Sequence, residues 1–147
     1  MNLPAATRRD FLKRVAIAAG GAVVGLSEAG CISSVAPVVR AQVNANLLRI
    51  ETARPELANV GDGIQLDADA LEYPVFLIKV SNDRFVALST ECAHLGCTVK
   101  KRPSVIRCSC HGSAYDFEGN VLQGPAERPL ERFPVHMNGS IAEIEVR

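Results

Sequence analysis

The chain has 147 residues, 48% of them hydrophobic and 5% aromatic, with sixteen basic against sixteen acidic side chains, five cysteines and three histidines. The zero net charge conceals a division: five Lys or Arg stand against two Asp or Glu up to residue 41, and eleven against fourteen beyond it. The acidic part has no basic stripe, which excludes a nucleic-acid reading, and its length is that of one ordinary domain.

The chain opens on a charged stretch, Thr7-Arg8-Arg9-Asp10-Phe11-Leu12-Lys13, followed by a mostly apolar run at residues 15–26. A charged segment ahead of an apolar one is a targeting element and not part of the fold. Arg8-Arg9 followed by Phe11-Leu12-Lys13 resembles the twin-arginine export signal, which carries folded proteins across a bacterial inner membrane. The uncharged run at residues 15–27 falls short of the roughly 20 residues that span a bilayer, and extension to residue 39 brings in Glu28. Three fates stay open: an uncleaved membrane anchor, cleavage after Val39-Arg40-Ala41, or lipidation at Cys31, the odd cysteine. Residues 1–41 are thus expected to be signal and possible anchor, residues 38–46 a hinge, and residues 42–147 the folded domain.

That domain reads as all-β. Residues 47–50 open it, and Gly61-Asp62-Gly63 turns the chain into 64–66. Runs at 74–80 and 84–88 flank Ser81-Asn82-Asp83, a hairpin signal. Short strands at 98–100 and 105–107 surround a turn at Pro103, and 114–117 leads into the turn Glu118-Gly119-Asn120. Runs at 130–136 and 140–146 flank Asn138-Gly139, the sequence preferred in a type I′ hairpin. There is no internal repeat, low-complexity run or long helix after the leader.

Between these strands lie two boxes, Cys92-Ala93-His94-Leu95-Gly96-Cys97 and Cys108-Ser109-Cys110-His111-Gly112-Ser113. They hold four of the five cysteines and two of the three histidines. Thiolates beside imidazoles suit zinc or iron–sulfur chemistry. A zinc site takes four ligands, so any zinc quartet here strands two cysteines. A [2Fe–2S] centre with two Cys on one iron and two His on the other uses Cys92, Cys108, His94 and His111, and leaves Cys97 and Cys110 as a pair. A zinc-stabilised binding module and a disulfide-only loop remain as rivals. Gly96 and Gly112 supply backbone freedom where the chain must pass close to a bound group.

The two boxes resemble those of the Rieske iron–sulfur proteins, in particular the type found in cytochrome bc-like quinol oxidases. There the first box reads C-T-H-L-G-C and the second C-P-C-H-G-S, so this chain departs only at Ala93 and Ser109. The resemblance covers residues 92–129 closely and the following hairpin loosely. It implies a Rieske-type antiparallel β sandwich with a two-loop cluster-binding subdomain. It implies that Cys92 and Cys108 ligate one iron, that His94 and His111 ligate the other, and that Cys97 is bridged to Cys110. Rieske ferredoxins and ring-hydroxylating oxygenases lack that second cysteine pair, so the resemblance is to the disulfide-bearing, high-potential class. By position, Ser113 and Tyr115 would donate hydrogen bonds to cluster sulfurs. Gly124-Pro125-Ala126-Glu127 matches the start of the family's cluster-covering loop, G-P-A-P, with Glu127 in place of its last proline.

The resemblance also implies one-electron transfer from a membrane quinol, beside a cytochrome b-type membrane subunit, to a c-type cytochrome. His111, with His94, would present the outer imidazole edge that a quinol meets. The chain would be an electron-transfer subunit of quinol–cytochrome c reductase type, not a free-standing enzyme, on the periplasmic side of the inner membrane. The small Rieske subunit of a periplasmic molybdenum oxidase, such as arsenite oxidase, is the alternative within the same chemistry. His136 lies in an expected strand outside both boxes and reads as structural.

Overall fold

The computed structural model describes residues 35–146, so Arg8-Arg9, the apolar leader and Cys31 lie outside the described residues. Strands β1 (Val38–Arg40), β2 (Val43–Asn44) and β3 (Leu47–Glu51) precede a short 3₁₀ turn at Pro55–Leu57. Then come β4 (Gly63–Asp67), β5 (Val75–Ser81), β6 (Arg84–Ser89), β7 (Val99–Lys101), β8 (Ile106–Cys108) and β9 (Ala114–Tyr115). The chain closes with β10 (Val121–Gln123), β11 (Arg132–Phe133), β12 (Val135–Asn138) and β13 (Ile141–Glu145). No helix among the described residues is long and apolar enough to cross a membrane.

Three sheets result: a five-stranded one in the order β1-β4-β5-β6-β11, a four-stranded one β12-β13-β3-β2, and a second four-stranded one β10-β9-β8-β7. The five-stranded sheet is the middle layer because both of its faces are apolar. Successive side chains of a strand point to opposite faces. Val75 and Leu77 of β5 therefore join Ile64, Leu66 and Ala87 in packing against Leu48, Ile50, Ala142 and Ile144 of the β12-β13-β3-β2 sheet. Phe76 and Ile78 turn the other way, with Val86 and Leu88, onto Val99, Ile106, Cys108 and Tyr115 of the β7–β10 sheet. The unbroken Val75-Phe76-Leu77-Ile78 run reflects this double burial; all four are at most 1% exposed. At about 1.5–3 kcal/mol for each such side chain, the run secures both layers at once.

The second interface also holds a charge. Gly63 of β4 has Ile78 and Lys101 against it; a Cβ there would lie 3.0 Å from Ile78 Cγ1 and 3.2 Å from Lys101 Cε. Lys101 is 7% exposed, and its Nζ sits 4.7 Å from the centre of the Phe117 ring. Burial lowers the Lys101 ammonium below its ordinary range, with Asp62 acting in the opposite sense.

Several expectations need correction. Residues 38–46 are not a hinge. Strand β1 pairs with β4 in parallel, through Val38 opposite Gln65 and Arg40 opposite Asp67, while the other strand pairs among the described residues are antiparallel. Ala36 is buried in the core and the Gln65 amide donates to the Pro37 carbonyl, so the folded unit reaches back past the boundary expected at residue 42. Strand β2 forms a hairpin with β3 through Ala45 and Asn46, both at positive φ (50° and 63°). That is the backbone of a type I′ turn, here built without glycine. At the chain's end, Asn138 pairs with Ile141, so the loop is Gly139-Ser140 and only Gly139 has positive φ. This is the type II′ pattern, not I′. The expected strand at 130–136 is two: Pro134 lacks the N–H that a ladder needs. Phe133 pairs with Ala87 in the five-stranded sheet, and Val135 pairs with Ile144 in the other sheet of the sandwich.

Candidate metal centre

The β7–β8 hairpin puts the two boxes side by side. Val99 pairs with Cys108, so the loop entering β7 and the loop leaving β8 emerge at the same end. The first loop is held at its base by the bridge between Glu91 and Thr98 and by Thr90, which is fully buried. The Thr90 hydroxyl donates to the Pro74 carbonyl at 2.9 Å, fixing the loop to the start of β5.

Both loops close in the same way. In the first, the Cys92 amide donates to the Cys97 carbonyl at 2.8 Å and the Gly96 amide to the Cys92 carbonyl at 2.9 Å. In the second, the Cys108 amide donates to the Ser113 carbonyl at 2.8 Å and the Gly112 amide to the Cys108 carbonyl at 3.2 Å. Gly96 and Gly112 have φ of +73° and +85°, a region that L-residues with a Cβ enter only at a cost. The two boxes are one local structure made twice. Each puts a buried cysteine at its base and a histidine on the turn.

A disulfide joins Cys97 to Cys110, with their Cα atoms 6.6 Å apart. Cys92 and Cys108 are free thiols, 2% and 1% exposed. The sulfurs of Cys97, Cys108 and Cys110 lie within 4.8 Å of one another, yet only Cys108 among them is free to bind a metal. The His94 and His111 rings meet edge to face, with centroids 4.9 Å apart and planes at 84°. His111 is exposed and His94 half-buried. Nδ1 of His94 is buried and has no hydrogen-bond partner. A buried nitrogen lone pair or N–H without a partner is costly, and a metal ion would satisfy it. Two free thiols and two imidazoles at one tip thus fit a mixed Cys/His cluster.

Tyr115 on β9 is fully buried, and its Oη lies 3.3 Å from Cys92 Sγ. Burial pushes the Tyr115 phenol up, and the Cys92 thiol beside it pushes it further. For Cys92, burial alone would raise the thiol. Hydrogen bonds from Tyr115, the His94 backbone, Cys108 and Ser113 outweigh it, so the thiol lies below its ordinary range. Both shifts express one preference: the proton stays on the phenol oxygen and the charge goes to sulfur.

Ser113 is also fully buried, and its hydroxyl oxygen accepts a hydrogen bond from the Ala126 amide at 3.0 Å. Gly124 and Pro125 are exposed; Ala126 is the residue of that segment that packs inward, 4% exposed among Cys92, Cys108, Tyr115 and Leu130. An alanine has no side-chain chemistry, so in the sequence only its place after Gly124-Pro125 marks Ala126. Glu127 is exposed, and His136 stands apart from the tip in an exposed pair with Glu145. An open groove of about 840 Å³ runs beside the first loop, between His94 and the segment holding Arg128 and Glu131.

Comparison with known proteins agrees with this geometry. The family model described as the Rieske [2Fe-2S] domain matches residues 53–134. The cytochrome b6-f complex iron-sulfur subunit of Chlorobaculum tepidum is 29% identical over 137 residues, covering 87% of this chain and 69% of that one. Cytochrome b6-f complex iron-sulfur subunit 2 of Nostoc sp. is 43% identical over 54 residues, covering 35% of this chain and 30% of that one. The chain spans less than a third of the length of that relative and of its Trichormus variabilis counterpart, of which 27% is covered. Among solved structures, a chain of a hyperthermophilic respiratory Complex III is similar with a TM-score of 0.51 and 26% identity, covering 64% of this chain and 71% of that one. A chain of the carbazole 1,9a-dioxygenase oxygenase–ferredoxin complex shares the fold alone, with a TM-score of 0.55 at 22% identity. With the family model matching more than half of its length and both boxes folded into one paired tip, the chain belongs to the Rieske [2Fe-2S] domain family.

Proposed function

We propose that this chain relays single electrons from a membrane quinol to a c-type cytochrome, as the iron–sulfur subunit of a cytochrome bc-like complex. The observation that carries the reading is the doubled loop, which brings Cys92, Cys108, His94 and His111 to one tip beneath a Cys97–Cys110 disulfide. In this reading Cys92 and Cys108 ligate one iron, and His94 and His111 the other. Bound there, a [2Fe–2S] cluster supplies a one-electron couple, made easier to reduce because two neutral imidazoles replace thiolates.

The chain's own residues do the rest. The Tyr115 hydroxyl lies 3.3 Å from Cys92 Sγ, and the buried Ser113 hydroxyl would donate to a cluster sulfur. The Cys97–Cys110 bond ties the two loops together where no ladder joins them. His111, exposed at the tip, offers its outer ring edge to a quinol hydroxyl, with half-buried His94 beside it. In this reading Gly124 and Pro125 would cover the site, held by the bond from the Ala126 amide to Ser113.

The names of the relatives support a partnership with a cytochrome b-type membrane subunit and a c-type cytochrome acceptor. They also weigh against the small subunit of a molybdenum oxidase. The Arg8-Arg9 motif supports twin-arginine export to the periplasmic side of the inner membrane. There the environment is oxidising enough to keep the disulfide. The leader would then be retained as an anchor or processed ahead of Ala36, since a cut after Ala41 removes β1 from its sheet.

The test is spectroscopic. Purified full-length protein should carry iron and sulfide and show the visible absorption and reduced-state electron spin resonance of a Cys/His-ligated cluster. His111→Ala should lose that spectrum. Wild-type protein containing zinc and no iron would overturn the reading in favour of a binding module.

A further inference from the structure

We infer that the backbone amide of Ala126 positions the Ser113 hydroxyl, so that the segment following Gly124-Pro125 tunes the metal centre through a relay from Ala126 N–H to Ser113 Oγ to sulfur. The inference rests on the proposed cluster for its redox consequence, but the contact itself does not.

A serine hydroxyl has one hydrogen to donate and two lone pairs to accept with. An amide N–H can only donate, so at 3.0 Å from Ala126 N the Ser113 oxygen is the acceptor and its hydrogen must point elsewhere. Ser113 has no exposed surface, which leaves no bulk water to receive that hydrogen. Among the described residues no oxygen takes it either, since the Ala126 bond is the one hydrogen bond to an oxygen or nitrogen partner that Ser113 Oγ makes. What remains is the buried tip itself, where the Ser113 carbonyl accepts from the Cys108 amide and the free thiols of Cys92 and Cys108 are enclosed. The amide therefore selects which way the hydroxyl turns.

The position of the amide is itself fixed by packing. The Ala126 methyl is buried with Cys92, Cys108, Tyr115 and Leu130, while Gly124, Pro125 and Glu127 on either side are exposed. Proline after Ala126 would confine the alanine backbone to extended conformations. Glu127 imposes no such limit, so in this chain the bond to Ser113 and the buried methyl hold the segment in place. A reduced centre carries more negative charge on its sulfurs and accepts a hydrogen bond more strongly. A hydroxyl held in the right direction therefore favours the reduced form, and one left free to turn favours it less.

The test uses the purified full chain with its cluster and the variants Ala126→Pro, Ser113→Ala and both together. Ala126→Pro deletes the N–H and leaves the hydroxyl. It should weaken the preference for the reduced form by roughly threefold to tenfold, the upper end being about 59 mV for one electron. The double variant should lie no lower than Ser113→Ala alone, because the amide acts only through the hydroxyl. A wild-type potential in Ala126→Pro with an intact spectrum overturns the relay, and so does full additivity of the two changes. Should Ala126→Pro fail to fold, hydrogen–deuterium exchange on Ser113→Ala decides. The Ala126 amide should exchange roughly tenfold faster than in the wild type, and an unchanged rate overturns the inference. That measurement does not need the cluster, so a wild-type protein without the Rieske spectrum would refute the functional reading and still leave the contact tested.

Discussion

Replacing Tyr115 by Phe removes one oxygen from a fully buried side chain, at a point 3.3 Å from Cys92 Sγ. The ring and its packing in the core are kept, so what is lost is the bond from the phenol to the Cys92 sulfur. Such a bond to a charged acceptor contributes about 1.5–3 kcal/mol. Only the share that differs between oxidised and reduced centres moves the potential. With a third to a half of it arising on reduction, the difference is about 0.5–1.5 kcal/mol, or about 20–60 mV for a one-electron couple. The sign comes from charge: reduction makes the sulfur more negative and strengthens the bond, so losing it lowers the potential. The assay is an optical redox titration of the wild type and of Tyr115→Phe, with iron content and visible spectrum as controls. An unchanged potential in a variant with an intact cluster would refute the reasoning.

Cys97→Ala with Cys110→Ala opens a loop whose ends are 13 residues apart. It should lower unfolding stability by about 3 kcal/mol on the chain-entropy account, measured by denaturant titration under oxidising conditions; equal midpoints would show that the bridge contributes nothing. Gly119→Ala should cost about 2 kcal/mol, because Gly119 has φ +84° and an added Cβ would lie 2.9 Å from Leu88 Cδ2. A thermal melt matching that of the wild type would contradict it. Lys101 gives a pH signature. Burial holds its folded-state ammonium below the ordinary 10.5, so the unfolded chain binds more protons between the two values and stability rises with pH there. Lys101→Met should flatten that rise below 10.5, checked by unfolding midpoints across the alkaline range.

The metal centre was legible because ligand chemistry is written in residue types. Cys and His are uncommon, and few side chains can replace them on a metal, so two boxes that each hold both announce the site before any fold is known. Gly96 and Gly112 were legible as well, since positive φ at a tight turn selects glycine. Ala126 was not. Its contribution is a backbone N–H that every residue but proline shares, and only the packing of its methyl brings that N–H to Ser113.

The strands divide in the same way. The sequence by itself determined that the chain after residue 47 is β, where its apolar runs and turns fall, and which thiols and imidazoles belong together. Those are local properties, set by side-chain alternation and by the dihedral freedom of single residues. Only the tertiary structure decided that Val75-Phe76-Leu77-Ile78 serves two cores, since burial on both faces depends on two sheets distant in sequence. It decided that residues 38–40, read as a hinge, are a parallel strand, because a parallel pairing with β4 leaves no turn signal between the partners. And it decided that Pro134 passes the chain from one sheet to the other, where local pattern showed one continuous strand. A side chain records its own turn or ligand; which distant surface covers it is settled only when the whole chain has buried its apolar area.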